Sequence, residues 1–275
     1  MDQTKQKNKL LIVVIILLSC LLILTLVGIG VLVVNNINLT NQLNQNNQET
    51  SQDSTENETQ ENTETEIKEY SVISKTLSEE TGQYSIDITY PQIEGLDNDV
   101  QDDFNEYVED FAQNEAEAFK SEDFTYAVGK YSITYDFSVE LKTENLLSIL
   151  MIGDIYTGGA HGTPLIKTIN YNIKDNALIE LSEVIKPGSS LNQLAALVNQ
   201  ALKDQFDADM DESIDVGTTA DEDNFKHFNF TENTFKITFD AYQVGPYVIG
   251  TPEIELDYSE VSNLMRDEIL ELLGL

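Results

Sequence analysis

One apolar run, Leu10 to Val34, constrains this chain more than any other feature. It holds 25 residues without a single charge. As a helix it would reach about 37 Å, enough to cross a hydrocarbon core about 30 Å thick with some tilt. The nine residues before it carry Lys5, Lys7 and Lys9 against Asp2. Basic flanks stay in the cytoplasm, which predicts a single-pass anchor with its N-terminus inside and everything after Val34 outside. A cleaved signal peptide would have a shorter apolar region ending in a small-residue site, and no such site follows Val34. Leu17-Leu18-Ser19-Cys20 has some likeness to a lipidation site. Fourteen more uncharged, mostly apolar residues follow Cys20, where a lipidated chain would turn polar.

The net charge is −34, and the stub contributes +2, so −36 falls on the rest. Such a surface repels phosphate, and nucleic acid is excluded as a partner. It attracts cationic proteins or divalent cations. Cys20 is the only cysteine, so the exported part folds without disulfides and relies on its core.

Five regions are expected: a stub 1–9, a transmembrane helix 10–34, a polar tether 35–66, and two α+β parts, 67–165 and 166–275. The tether is Asn, Gln, Thr, Ser and Glu, too polar to offset chain entropy by burial. Tyr70–Lys75 and Tyr84–Tyr90 read as strands, the second ended by Pro91. A helix to about Lys120 carries Val100, Phe104, Tyr107, Val108, Phe111, Ala118 and Phe119 on one face. Tyr131 to Leu141 alternates strictly with polar residues and reads as a half-buried strand. Leu146–Tyr156 is apolar nearly throughout and should be covered on both faces. Thr168–Ile173 and Ala177–Leu181 form a hairpin around Asp175-Asn176. Ser190 opens a second helix, with Gln193 completing a capping box. An acidic loop runs from Asp207 to Asp223. Phe235–Phe239 and Ile254–Leu256 are strands, and a last helix begins near Ser259. Helices and antiparallel strands segregate, so the class is α+β, with antiparallel sheets and packed helices.

Chemistry is sparse. There is no Gly-x-Ser-x-Gly elbow, and no paired histidines or cysteines for zinc. No cofactor is expected. Carboxylate-based hydrolysis finds acids everywhere and hence no informative pair. Asp207, Asp209, Asp211, Ser213 and Asp215 fall at the odd positions of a calcium loop, but Glu212 stands where glycine is needed and Thr218 where glutamate is needed. The most unusual stretch is Tyr156-Thr-Gly-Gly-Ala-His-Gly162. Three glycines in five residues imply special backbone angles or a close approach. Tyr156, Gly158, Gly159 and His161 are therefore candidates for partner contact, with Tyr247 in the second glycine-bearing loop, Val244–Thr251. A structural turn with a locally bonded histidine is the plainer reading.

Tyr84–Tyr90 with Pro91-Gln-Ile-Glu-Gly95, and the Gly-Gly-Ala-His turn, resemble the first half of a bacterial ectodomain family of unknown function. Ile169-Asn-Tyr-Asn-Ile173 with Leu178–Leu181, and Phe235–Tyr242 with Gly245-Pro-Tyr247 and Gly250, are similar to its second half. The pairing is similar to the ectodomain of lysozyme-sensing anti-sigma-V factors and to the non-catalytic domain of PdaC-type peptidoglycan deacetylases. Nine residues before the anchor are too few for a sigma-binding domain, and the paired histidines of a deacetylase are missing. The resemblance therefore implies a surface-displayed binding or sensing module for lysozyme or another cationic wall-active protein. A peptidoglycan-acting enzyme or deacetylase accessory is the rival, and signalling through the transmembrane helix a third reading.

Overall fold

Alternating apolar residues build the first sheet, whose six strands lie side by side in chain order. The computed structural model describes residues 69–275 apart from 97, 123 and 125–128; the expected stub, membrane helix and tether lie outside the described residues. Among the described residues no helix is long and apolar enough to cross a membrane. Strands β1 (Ser71–Glu80) and β2 (Tyr84–Glu94) form an antiparallel hairpin. Helix α1 (Asn98–Lys120) then crosses over, so β3 (Tyr131–Lys142) pairs with β2 in parallel, a step that needs such a crossover. β4 (Leu146–Tyr156), β5 (Thr163–Asn172) and the short β6 (Ala177–Leu178) follow antiparallel.

Pro91 does not end β2, as the sequence predicts; the strand continues to Glu94, with Pro91 opposite Ser74. The reason is which way its nitrogen points. Ile93, two residues on, turns its N–H and C=O away from β1, to Asn105 of α1: Ile93 N donates to Asn105 Oδ1 at 2.7 Å and Asn105 Nδ2 donates to Ile93 O at 3.0 Å. Pro91 has the same parity, and its missing N–H lies on the side where pairing with β3 stopped at Ile88. No ladder bond is lost there. Asn105 thus acts as a one-residue strand partner.

α1 lies on one face of the sheet. Phe104, Val108, Ala112, Ala116 and Phe119 are buried against Ile86, Ile88, Ile133, Leu147, Ile149, Met151 and Ile169. The apolar face expected along this helix holds at Phe104, Val108 and Phe119, but Ala118 is exposed and Ala112 and Ala116 take its place. Their small side chains let the helix approach the sheet. The expected cover on both faces of β4 holds for Leu146–Met151; past that point Ile152 is 41% exposed. The alternation of β3 breaks at a bulge between Val139 and Leu141, which turns Val139 outward.

The other face of β4 meets a second sheet, β7 (Phe228–Phe230), β8 (Thr234–Thr238) and β9 (Glu253–Asp257). The three-residue β7 is not anticipated in the sequence. This part also holds α2 (Leu181–Val184), α3 (Ser190–Gln205), α4 (Asp211–Gly217) and α5 (Tyr258–Val261) with its 3₁₀ extension Ser262–Leu264. The last helix is not continuous: Met265 and Arg266 run extended, Ile185 bridges to Met265, and α6 (Asp267–Leu273) restarts beyond. Ser190 is the first helical residue of α3 rather than its cap; Gln193 Nε2 folds back onto Ser189 Oγ and O at 3.2 and 3.5 Å. Phe225, Phe230, Phe235, Ile237 and Phe239 fill the second core with Leu194, Val198 and Leu202 of α3. The boundary expected at 165/166 falls inside β5, and the described residues belong to one compact unit.

A buried polar seam joins the sheets. Ser148 Oγ on β4 donates to Asn170 Oδ1 at 2.7 Å and accepts from Asn229 Nδ2 at 2.9 Å and Phe230 N at 3.0 Å. Asn170 Nδ2 donates to Phe228 O at 2.8 Å, and Asn229 Nδ2 also reaches Ile149 O at 3.0 Å. Beside it, Lys236 Nζ meets Glu140 Oε2 at 2.5 Å, with 7% and 15% of the two side chains exposed. A buried pair of this kind is costly to split, because the survivor stays uncompensated.

Asn105→Ala removes both bonds to the wholly buried Ile93 and leaves two backbone groups unpaired. The expected loss is about 2 kcal/mol, read from the urea midpoint, with the slope of the transition unchanged.

Candidate functional site

Two loops meet at the far end of the first sheet. The first is the turn Tyr156–Gly162 between β4 and β5. Gly158 has φ +84°, a left-handed value that disfavours side chains, while Gly159 is not in that region. Gly162 is needed for a different reason: a Cβ there would stand 2.0 Å from Asp154 Oδ1. Tyr156 OH donates to Gly159 O at 3.1 Å, and His161 Nδ1 lies 2.8 Å from Gly162 O.

The second loop leaves β8 at Phe239 and returns at Glu253. Tyr247 opens a 3₁₀ turn, Tyr247–Ile249. Its ring stacks on His161 with centroids 3.8 Å apart and planes 23° apart, and its OH donates to Gly162 O at 2.9 Å. The structure therefore brings together all five residues singled out in the sequence, four in one turn and Tyr247 far along the chain. His161 is exposed, and its ring contact and Nδ1 bond hold one loop against the other.

Residues the sequence reading passed over make this surface larger. Tyr242 is 61% exposed with φ +71°, and Val248 is 86% exposed. A non-glycine residue at such an angle is strained and persists only where its surroundings over-determine it. Here they do. Gln243 Nε2 donates to Gly217 O at 3.1 Å and Asn224 O at 2.9 Å, and its Oε1 accepts from Asp240 N at 3.1 Å. A Cβ on Gly217 would fall 2.2 Å from Gln243 O, so the loop sits directly on the end of α4. Val216, beside Gly217 in the chain, is 68% exposed. Tyr242 and Tyr247 are 5.5 Å apart between ring centroids. An exposed, strained tyrosine in the coil after a strand carries no pattern, so only the fold reveals it.

Asp240 anchors the start of the loop. Its Oδ1 lies 3.3 Å from His227 Nε2 and its Oδ2 3.0 Å from Lys226 Nζ. The hydrogen bond from His227, helped by Lys226, holds its carboxyl down to about 2 despite partial burial.

The calcium-loop reading of Asp207, Asp209, Asp211 and Asp215 does not match the structure. Ala208–Met210 forms a 3₁₀ turn and Asp211–Gly217 the helix α4, so the odd-numbered carboxylates fan out along a helix instead of converging. Asp211 and Glu212 favour the helix start, and Ile214 is buried beneath. Asp215 is taken up by Lys203 Nζ at 2.5 Å and Asn199 Nδ2 at 2.9 Å. Among the described residues no group of three or more His, Cys, Asp or Glu is placed to hold a metal ion. The assembled surface offers aromatic rings, aliphatic tips and backbone groups on a fixed frame, which suits recognition of another surface.

The pH dependence follows from Asp240. Its folded value lies below the ordinary carboxylate value near 4, so its stabilisation is present above about pH 4 and is lost as pH falls toward 2. The side chain is 39% exposed, which limits the contribution to about 1 kcal/mol after screening. Asp240→Asn should lower stability by about that much at pH 7 and flatten the fall between pH 4 and 2, as followed by urea unfolding across pH.

Comparison with known proteins agrees with this anatomy. Residues 77–163 match the family described as deacetylase PdaC, and 182–259 match a protein family of unknown function, DUF3298. The chain is 24% identical over 167 residues to the peptidoglycan-N-acetylmuramic acid deacetylase PdaC of Bacillus subtilis, covering 58% of this chain and 36% of that one. It thus spans about a third of that relative. It is 26% identical over 201 residues to the anti-sigma-V factor RsiV of the same organism, covering 70% and 69%. Two solved DUF3298 structures share the fold: one from Bacteroides fragilis (TM-score 0.56, 19% identity, 75% of this chain and 98% of that one), and one from Pseudomonas aeruginosa (0.53, 18%, 74% and 96%). The chain thus matches the PdaC family in one segment and DUF3298 in the next, the pairing anticipated from its glycine turn and its last strands.

Proposed function

We propose that this protein is a binding module, not an enzyme, held on the outer face of a bacterial cytoplasmic membrane by Leu10–Val34, with its N-terminus in the cytoplasm. Its partner is a cationic wall-active protein, with lysozyme the first candidate. The observation that carries this reading is the joined pair of loops: the His161–Tyr247 stack fixes them together and leaves Tyr242 and Val248 projecting. Rigid aromatic and aliphatic groups on a pre-organised frame lose little freedom on binding. Charge supports the choice of partner. With −36 beyond the stub, a basic protein is drawn in from a distance, while affinity rests on the desolvated patch. The likeness to RsiV, an anti-sigma-V factor, favours a sensing role at the envelope. The PdaC segment fits an envelope setting without supplying a reaction here.

Titration of the full chain in detergent micelles with lysozyme tests this. Saturable binding should persist at about 0.5 M salt with slowed association, since charge mainly sets the on-rate. Tyr242→Ala and Val248→Ala should each weaken it about tenfold or more, through faster dissociation. Binding that salt abolishes, and that any unrelated basic protein matches, would refute the specific claim.

A further inference from the structure

A second feature lies away from the loops, along the free edge of β5. A cavity of about 180 Å³ opens there between α1, the end of β5, and the segment entering β7. That volume is room for about six waters. Its walls include Lys167, Lys226 and His227, three cationic or protonatable groups on a chain that has 15 Lys and Arg against 49 Asp and Glu.

The three differ in what already engages them. Lys226 and His227 both hold Asp240. Lys167 makes no ion pair or hydrogen bond from its ammonium among the described residues; it lies over the rings of Tyr107 at 5.5 Å and Phe111 at 5.7 Å. Lys75, Lys142 and Lys174 also lack a carboxylate, but they are exposed and hydrated. Arg266 is half-buried like Lys167, yet it donates to Ile185 O at 3.2 Å and Ser182 O at 2.8 Å. Among the described residues Lys167 is therefore the half-buried cation that lines a cavity without a carboxylate or carbonyl partner for its ammonium. An anion accepting from that ammonium would add a charge-assisted hydrogen bond that no group of the described chain supplies.

The rest of the lining narrows the ligand. Leu178, Ile179 and Phe228 supply the apolar part of the lining, and Glu180, also in the lining, is exposed. A dianion would face Glu180 and the acidic surface on every side, whereas one negative charge with an apolar body matches one ammonium and one apolar wall. We propose that this cavity binds a small organic monocarboxylate, its carboxylate on Lys167 Nζ and its body against Phe228 and Ile179. The ligand is either a free small acid or the terminal carboxylate of a short peptide, and both present the same group.

Isothermal titration of the full chain in detergent, with matched sodium chloride, tests it. Acetate, N-acetyl-alanine and inorganic phosphate are the probes. N-acetyl-alanine should saturate with a Kd on the order of 1 mM, and acetate more weakly for want of an apolar body. If N-acetyl-Ala-Ala binds more tightly than N-acetyl-alanine, the ligand is a peptide terminus; if it is excluded, a free acid. Lys167→Met keeps the apolar stem and should weaken binding about tenfold or more, Lys167→Arg should retain it, and Lys75→Gln should change nothing. Circular dichroism melts of the three variants separate lost charge from lost fold. No saturable binding, equal response to chloride, preference for phosphate, or binding that survives Lys167→Met in a folded protein would each overturn the proposal.

Discussion

Ser148 is the point on which the two sheets depend. A serine in the middle of an otherwise apolar strand is costly to bury alone, and here its hydroxyl is fully used. It donates to Asn170 and accepts from Asn229 and the Phe230 amide. These bonds fix where β7 crosses β4 and β5, and a buried hydrogen-bond network specifies one docking geometry where apolar contact would allow several. Glu140 and Lys236 add a second tie between β3 and β8. The seam is not wholly saturated: Asn229 Oδ1 and Thr238 Oγ1 have no partner among the described residues.

The loop surface follows from that docking. β8 leads into Asp240, and β4 leads into Tyr156. Once the seam sets the two sheets, the ends of those strands lie close enough for Tyr247 to stack on His161 and bond Gly162. The clamp by Gln243 and the close approach at Gly217 then hold Tyr242 in its strained form. A contact deep in the fold thereby governs a surface feature through rigid strands. The segments that match PdaC and DUF3298 each contribute one loop, and neither makes the surface alone.

Much of this was legible in the sequence where a single local pattern decides structure. The alternation from Tyr131, the 3.6-residue face of α1 around Phe104 and Val108, and the apolar β4 were all readable. So was the strangeness of the turn at Gly158. What escaped reading depends on partners far along the chain. Pro91 looks like a stop, yet its missing N–H faces a side with no ladder. Ser148 looks like an interruption, and Phe228-Asn-Phe230 is too short to stand out, because the meaning of each lies in the other. The acidic stretch from Asp207 mimics a metal loop by spacing, but helix formation and Lys203 claim it. That the turn at Tyr156 and the loop at Tyr247 form one site is a property of tertiary structure, invisible to spacing.

The seam makes the two segments one cooperative structure and thereby creates the loop surface. Native-state hydrogen exchange tests this most directly, because it reports the opening free energy of each amide. The amides of Leu147, Ile149 and Met151 in β4 should open with the same free energy as those of Phe230, Phe235 and Ile237 in β7 and β8, both equal to global unfolding. If the second sheet exchanges through a separate opening several kcal/mol cheaper while β4 stays protected, the segments are independent and the seam does not couple them.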